Sequence, residues 1–233
     1  MFPIKDLNRS LTTPHVNRML ILANVVVFAV VLLSQWNMID PGFAADIKEK
    51  FALKPYYIVR GERLYTIFTS MFLHAGLFHL FGNMLYLYIF GDNVEDAFGH
   101  FSYLVFYMVC GVAASLTYIS LNPQLYKTYE ISVVGASGAI SGVLGAYLIL
   151  YPKAKILTLI FYGLPIIIPI PAVIFLGIWF LMQWVLGMYD IFFFQGASGV
   201  AYWAHVGGFI AGMILALTVG LQRKKAREAR YSL

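Results

Sequence analysis

The residues best suited to chemistry in this sequence are a serine and a few histidines that stand at the ends of long apolar runs. Ser137 lies in Gly135-Ala136-Ser137-Gly138, where a polar loop becomes an apolar stretch. Glycine on either side lets a substrate approach the hydroxyl, and the first N–H groups of a helix lack internal partners and can bind a developing negative charge. Small residues at helical spacing also serve close helix packing in membranes, so the motif taken alone permits either role.

His205 is the candidate base for this serine. It lies in Ala204-His205-Val206-Gly207-Gly208, near the start of the last apolar run. A serine hydroxyl is a weak nucleophile until a neighbouring base takes its proton, and histidine is the commonest such base. Because no carboxylate stands ready as a third member, the sequence predicts a Ser-His dyad.

Four glycines provide a means of bringing the serine and the histidine together. Gly138 and Gly142 lie on one side of the run that the serine opens, and Gly208 and Gly212 lie on one side of the last run. Helices with small residues on facing sides can pack backbone to backbone. We expect this helix packing to bring the hydroxyl within hydrogen-bond reach of the imidazole.

Another apolar run carries His79 and Asn83, which are four residues apart and share one face of a helix, and His74 precedes that run. His74, His79 and His205 could be considered a ligand set, because three histidines can hold a catalytic zinc ion. A zinc site would leave Ser137 without a role, whereas a hydroxyl nucleophile explains it. The sequence therefore favours a site that uses no metal and no other cofactor.

Composition places these residues in a membrane protein. Of the 233 residues, 61% are hydrophobic and 12% are charged, whereas soluble domains carry about 25% charged residues. The net charge of +5 does not indicate nucleic-acid binding, because the basic residues flank apolar runs as topology signals do. The lone Cys110 lies in an apolar run, so the chain offers neither a disulfide framework nor a Cys-based metal site.

The apolar runs predict an all-α polytopic protein that forms a single domain, residues 1–233. Six spans are expected, at about 19–33, 77–96, 101–121, 137–151, 172–188 and 200–221. The fourth is short, so its Ser137 end should lie below the membrane surface. Residues 156–171, which are interrupted by Pro165, Pro169 and Pro171, are expected to form an interfacial or kinked piece.

The distribution of Lys and Arg predicts the orientation. Ten of the 16 lie on the side of the two termini, in residues 1–18, at 153–155 and in the basic tail 222–233, and six lie on the other side, mostly in the first loop, 36–76. By the positive-inside rule both termini are cytoplasmic, and the polar helix ends face the outer side. The first loop mixes charges with aromatic residues, so we expect short helices partly sunk into the membrane surface.

Together these motifs resemble those of the rhomboid intramembrane serine proteases of the prokaryotic, six-span type. The resemblance covers nearly the whole chain and rests on His74 and on Gly-x-Ser-Gly at 135–138, His-x-x-x-Asn at 79–83, Gly-x-x-Val-Glu-x-x-x-Gly at 91–99 and Ala-His-x-x-Gly-x-x-x-Gly at 204–212. It implies a rhomboid-like bundle with a half-buried first loop, and a lateral gate made of the fifth span and the aromatic loop after it.

The resemblance also implies roles for individual residues. Ser137 would be the nucleophile and His205 its base, while His79, Asn83 and the Ser137 backbone N–H would stabilise the oxyanion. The reaction implied is hydrolysis of a peptide bond in or near a transmembrane segment of another membrane protein. The expected location is a prokaryotic plasma membrane, and the expected partners are transmembrane protein substrates and the lipid bilayer, without nucleic acid or metal.

Two positions depart from the family pattern. Tyr65-Thr66 stands where the first loop often has a Trp-Arg pair, and Ser141 stands where an aromatic ring often packs on the catalytic histidine. Ser141 and Ser198 are also rival nucleophiles. Only Ser137, at a helix start, combines a hydroxyl with a free backbone N–H.

Two other functions fit parts of the sequence. The first is a catalytically inactive relative that binds membrane proteins, although such a protein would not need to retain both Ser137 and His205. The second is a small six-span transporter, which would suit the kinked helices. Against a transporter, the apolar runs lack the buried charged chains that ion coupling uses, and Glu95 is the nearest candidate.

Overall fold

A computed structural model describes residues 1–128, 130–194 and 199–231, most of them helical. The helices in this part of the chain are α1 (His15–Gln35), α2 (Phe43–Phe51), α3 (Pro55–Ile58), α4 (Thr66–Thr69), α5 (Leu77–Phe98), α6 (His100–Leu121), α7 (Ser137–Leu150), α8 (Ala172–Phe194), α9 (Tyr202–Leu215) and α10 (Leu221–Tyr231). The strands are β1 (Phe2–Asp6), β2 (Lys155–Tyr162) and β3 (Leu164–Pro171). The predicted helical membrane fold is thus confirmed in its main part, and the strands are a departure from it.

Among the described residues, four helical segments are long and apolar enough to cross a membrane: α1, α6, α8 and the run Tyr202–Arg227, which contains α9. The segment Thr66–Phe72 and α5 would add a fifth as one broken span, bent by 96°. The apolar α7 has only 14 residues, about 21 Å at the helical rise, which is less than the roughly 30 Å of the hydrocarbon core. The count of six spans therefore stays a prediction.

A three-stranded antiparallel sheet, made of β1 before α1 and of β2 and β3 between α7 and α8, adds to the helical fold that the sequence predicted. β2 and β3 form a hairpin, and β1 pairs with the other edge of β2. The hairpin turns at Gly163, whose φ of +74° is a conformation that glycine adopts without strain. The segment 155–168 is rich in isoleucine and aromatic residues, which favour strands.

Three prolines explain why residues 164–171 form an edge strand, β3, and why α8 does not begin earlier in the chain. Proline in a helix interior removes a hydrogen bond and clashes with the preceding turn. Pro165, Pro169 and Pro171 all stand at odd positions, and they pair with alternate residues of β2. The even-numbered residues of β3 therefore donate their N–H groups to β2. The prolines, which lack an N–H group, stand at positions that face the unpaired edge of β3.

The start of α1 is held by a carboxylate from α5. Glu95 is fully buried and accepts hydrogen bonds from the backbone N–H groups of Val16 (3.0 Å) and Asn17 (2.7 Å). These are among the first N–H groups of α1, which have no acceptor inside the helix, and a negative charge is favoured there. The buried carboxylate that a transporter would need is thus used to anchor a helix.

The C-terminal helix returns to the same end of the bundle as the N-terminal segment. Lys224 Nζ donates to the carbonyl of Leu150 at the end of α7 (2.7 Å), where a cation complements the helix terminus. Arg227 donates to the Thr12 hydroxyl (2.9 Å), which lies just before α1. The two terminal segments therefore lie on one side of the bundle.

The first loop forms the three short helices α2, α3 and α4, and the Tyr65-Thr66 pair is bonded within it. The Tyr65 hydroxyl donates to the carbonyl of Lys50 (2.9 Å), and the buried Thr66 hydroxyl donates to the carbonyl of Arg63 (2.7 Å). These two bonds tie the pair to α2 and to the turn before α4. The loop is thus held by contacts between its own segments at the position where the family often has Trp-Arg.

The core centres on α7, whose residues from Gly138 to Tyr147 are all buried. A Cβ placed on Gly208 would overlap the carbonyl oxygen of Gly138, and one placed on Gly212 would overlap that of Gly142. In α7 and α9 the four glycines therefore let two backbones approach each other directly. Such an approach is the geometry that small residues allow between membrane helices.

Candidate active site

The polar residues singled out in the sequence meet at one end of α5, α7 and α9. Ser137 is the first residue of α7, and His205 lies in the first turn of α9. The Nε2 atom of His205 lies 2.8 Å from the Oγ atom of Ser137, a hydrogen-bond distance between residues 68 positions apart. The structure thus brings together the serine and the histidine of the predicted dyad.

Gly135 places the loop before α7 against the ring of His79. Its φ is +129°, a conformation that side chains disfavour, and its N–H donates to the carbonyl of Ser70 (2.9 Å). A Cβ on Gly135 would lie 2.8 Å from Cε1 and 2.9 Å from Nε2 of His79. The first glycine of the motif is therefore required by the backbone and by the approach of the imidazole.

Donors suited to an oxyanion line the space beside Ser137. The Nδ1 atom of His79 accepts from the N–H of Ala75 at 3.4 Å, which leaves the proton of a neutral ring on Nε2. The Nδ2 atom of Asn83 lies 2.9 Å from Nε2 of His74, a contact that uses one of the two amide protons. The N–H of Ser137 lies in the first turn of α7, where the helix supplies no acceptor.

These groups surround a cavity of about 760 Å³, and its lining includes Ser137, His205, His79 and Asn83. Apolar residues of α1 and α8 also line it, among them Phe28 and Trp179. The volume is within the range of about 300–1,000 Å³ that is usual for ligand sites. The cavity is therefore large enough to hold several residues of a polypeptide beside the hydroxyl.

Ser141 has a different environment from Ser137. It is buried, and its hydroxyl donates to the carbonyl oxygen of Ser137 at 2.6 Å, one helical turn back. This is the bond that a serine inside a helix commonly makes. The other rival serine, Ser198, lies outside the described residues.

Gln183 is the residue of this site that the sequence interpretation missed. Its Oε1 atom lies 2.8 Å from Nδ1 of His205, on the side of the imidazole away from Ser137. Gln183 is only 6% exposed, and Trp179, one turn earlier on α8, has its ring centroid 6.0 Å from that of His205. An amide within an otherwise apolar stretch of α8 was the signal that could have found it.

The histidines are engaged in hydrogen bonds that suit a nucleophile better than a metal. Both ring nitrogens of His205 have partners, Ser137 and Gln183, and Nε2 of His74 contacts Asn83. Within the described residues, no group of three His, Cys, Asp or Glu side chains is arranged to hold a metal ion. The use of no metal stays a prediction that the chemistry of these contacts favours.

Comparison with known proteins identifies one family. A family model described as the Rhomboid domain matches residues 61–222, a range that contains Ser137, His205, His79, Asn83 and Gln183. The chain is 30% identical over 173 residues to Rhomboid protein 1, mitochondrial, of Saccharomyces cerevisiae. The aligned region covers 71% of this chain and 44% of that protein.

Two bacterial proteins named as proteases are also similar. Identity to Rhomboid protease AarA of Providencia stuartii is 31% over 173 residues, with 69% of this chain and 57% of that protein covered. Identity to Rhomboid protease GluP of Bacillus subtilis is 29% over 176 residues, with 76% and 30% covered. The chain spans less than two thirds of the length of each of these relatives.

Proposed function

The chain belongs to the rhomboid family, and on that premise we propose that it is an intramembrane serine endopeptidase that cleaves transmembrane segments of other membrane proteins. The observation that carries the proposal is the 2.8 Å hydrogen bond between Ser137 Oγ and His205 Nε2 at the edge of the cavity. It joins a weak nucleophile to a base, and oxyanion donors lie beside it.

In the proposed reaction, His205 Nε2 takes the proton of Ser137 as Oγ attacks the carbonyl carbon of the scissile bond. The oxyanion accepts hydrogen bonds from the Ser137 N–H, from Nε2–H of His79 and from the free amide proton of Asn83. The leaving amine takes the proton from His205 and departs, which leaves an acyl group on Ser137. Water then attacks this ester with His205 again as base, and the carboxylic acid product is released.

The proposed substrate class follows from where the site lies. The cavity is bounded by helices of membrane-spanning character, including α1 and α8, and its walls carry apolar side chains such as Phe28 and Phe78. A transmembrane segment can enter such a space without exposing its apolar side chains to water. The polar donors then meet its backbone only near Ser137.

The proposed location is a prokaryotic plasma membrane, with both termini in the cytoplasm and the active site toward the outer side. The contact between Thr12 and Arg227 supports termini on one side of the bundle. The excess of Lys and Arg on that side supports a cytoplasmic assignment. The proposed single domain keeps residues 36–76 as an external loop and residues 222–233 as a cytoplasmic tail.

The test uses the full chain in liposomes, a fluorophosphonate probe that reacts with activated serines, and a co-reconstituted single-span protein. We expect the parent to be labelled by the probe and to cleave the single-span protein. Ser137→Ala and His205→Ala should lose both labelling and cleavage while retaining the thermal transition of the parent. Ser120→Ala, at an exposed position of α6, is the matched control and should behave as the parent does. A folded parent that is neither labelled nor active would contradict the proposal and favour the inactive binder.

A further inference from the structure

The imidazole of His205 is held from its far side by a neutral amide. Gln183 Oε1 lies 2.8 Å from His205 Nδ1, while Ser137 Oγ lies 2.8 Å from Nε2. The three side chains come from three helices, α8, α7 and α9, and form one continuous hydrogen-bonded chain. The predicted dyad thus has a third polar neighbour in the structure.

We propose that Gln183 is a positioning residue that fixes the tautomer of His205 needed for the proposed proteolysis, and the proposal rests on that function. A neutral imidazole carries one proton, and an acceptor at Nδ1 holds the proton there. The lone pair of Nε2 then faces the Ser137 hydroxyl and can accept its proton. With the proton on Nε2, the ring could only donate to that hydroxyl and could not act as its base.

The environment explains why an amide occupies this position. Gln183 is 6% exposed, and residues 156–189 contain no charged side chain. An ionised carboxylate buried in such a helix would carry a large desolvation cost, whereas an amide oxygen supplies the same acceptor without a charge. The amide gives less support to a protonated imidazole than a carboxylate would, so its main effect is on orientation and tautomer.

A second contact sets the register of α8 against α9. The Trp203 Nε1–H donates to the carbonyl of Gly187 (3.1 Å), and a Cβ on Gly187 would lie 3.2 Å from the Trp203 ring. Gly187 is one turn after Gln183, and Trp203 is two residues before His205. This close approach fixes the depth at which the amide meets the imidazole.

The ring of Trp179 completes the support from α8. It lies one turn before Gln183, and the two rings, Trp179 and His205, are tilted by 39°. Ser141, at the position where the family often has an aromatic ring, is instead bonded to the backbone of α7. In this chain the imidazole is therefore supported mainly from α8.

The experiment compares Gln183→Leu, which removes the acceptor and nearly keeps the volume, with Gln183→Glu, which keeps an acceptor. We expect Gln183→Leu to lose about 10- to 100-fold in kcat and in the rate of fluorophosphonate labelling, the equivalent of one hydrogen bond at a buried group. KM should change little, because Gln183 touches the base rather than the substrate. Gln183→Glu should recover part of the lost rate, because its carboxyl oxygen still accepts from Nδ1 although an ionised carboxylate is costly to bury. Gln222→Leu, the same change at an exposed position of α10, should have no effect.

A spectroscopic measurement separates this proposal from the proposed function. In protein labelled with ¹⁵N at histidine, the His205 signal, assigned by its loss in His205→Gln, should report a proton on Nδ1 in the parent and a mixture of tautomers in Gln183→Leu. This readout does not require activity. The proposal is overturned if the tautomer is unchanged in Gln183→Leu, or if Gln183→Leu keeps the kcat and the labelling rate of the parent. A parent with the expected tautomer but no labelling would overturn the proposed function alone.

Discussion

Gly208 in α9 lies so close to Gly138 in α7 that a single added methyl group would overlap the Gly138 carbonyl oxygen. The two glycines follow His205 and Ser137 by three residues and by one. Their direct backbone contact therefore sets the distance between the Ser137 hydroxyl and the His205 imidazole.

Gly208→Ala should separate α7 and α9. The added methyl group meets backbone and the Cβ of Ala114, which cannot turn away as a flexible side-chain end can. We expect a loss of about 1–3 kcal/mol in stability from overpacking, seen as a lower thermal transition, and a loss of proteolysis beyond that caused by unfolding.

Gly177→Ala is the matched control for this change. Gly177 lies in α8 and has open space around its would-be Cβ. Alanine is favoured over glycine in a helix, so this variant should keep its activity and be at least as stable as the parent. If Gly208→Ala is as active and stable as Gly177→Ala, the close packing of α7 and α9 is not needed for the site.

Substitution of the serines should identify the nucleophile. Ser137→Ala should abolish labelling and cleavage, because it removes the hydroxyl bonded to His205. Ser141→Ala loses only a bond to the carbonyl of the preceding turn, so it should remain clearly active. We also expect Ser198→Ala to remain active. Mass spectrometry of the labelled parent locates the adduct, and an adduct on either of the other serines would show that Ser137 is not the nucleophile.

Loss of Asn83 should weaken the enzyme without abolishing its activity. Its amide is one of several proposed oxyanion donors, and removing one strong donor costs roughly 10²–10³ in kcat at most. We expect Asn83→Ala to remain within that limit, because the Ser137 N–H and His79 are retained. The variant also leaves His74 Nε2 without its partner, so the thermal transition is measured alongside kcat. A well-folded variant with no detectable activity would indicate a more direct role for Asn83.

Asp6 should make the stability of the protein depend on pH. Burial raises the pKa of this carboxyl from 3.8 to about 6, although the hydroxyl of Tyr147, which donates to it at 2.7 Å, opposes the shift. The folded state thus holds the proton more tightly than the unfolded state does. The resulting stabilisation is complete below about pH 4 and is lost as pH rises through about 6.

Asp6→Asn removes this titration and is the variant that tests it. Its thermal transition, measured relative to that of the parent, should rise between pH 4 and pH 7, because the parent alone acquires a buried charge over that interval. Asp46→Asn, at an exposed position of α2, is the control and should show no comparable trend. A pH-independent difference between Asp6→Asn and the parent would contradict the prediction.

Much of the site could be predicted from the sequence because its signals are local. Ser137 follows a glycine-rich loop and opens an apolar run, and this is enough to place its hydroxyl and N–H at a helix start. The spacing of His79 and Asn83 puts them on one helix face whatever lies around that helix. The small residues of α7 and α9 indicate close packing because they let the backbones of two membrane helices approach each other.

Other features depend on partners that are distant in the chain. The prolines of 165–171 rule out a regular helix, but they do not show that the free edge of β2 will take Phe2–Asp6 as a third strand. Glu95 reads as an isolated buried charge until α1 brings its first N–H groups to it. Strand pairing and capping of this kind depend on where whole elements dock, and the sequence pattern of one element does not contain that position.

The membrane character of the chain, the helix that Ser137 begins and the presence of residue types suited to nucleophilic catalysis could all be inferred from local sequence. These follow from hydropathy, from glycine and from the unsatisfied N–H groups of a helix start, all of which act over a few residues. The contact of His205 with Gln183, 22 residues earlier, depends instead on how α8 packs against α9. The sequence does not fix the rotation of an apolar helix about its axis, so it does not show which neighbour the amide of Gln183 faces. The packing of Gly187 against Trp203 fixes the orientation in which this amide meets the imidazole.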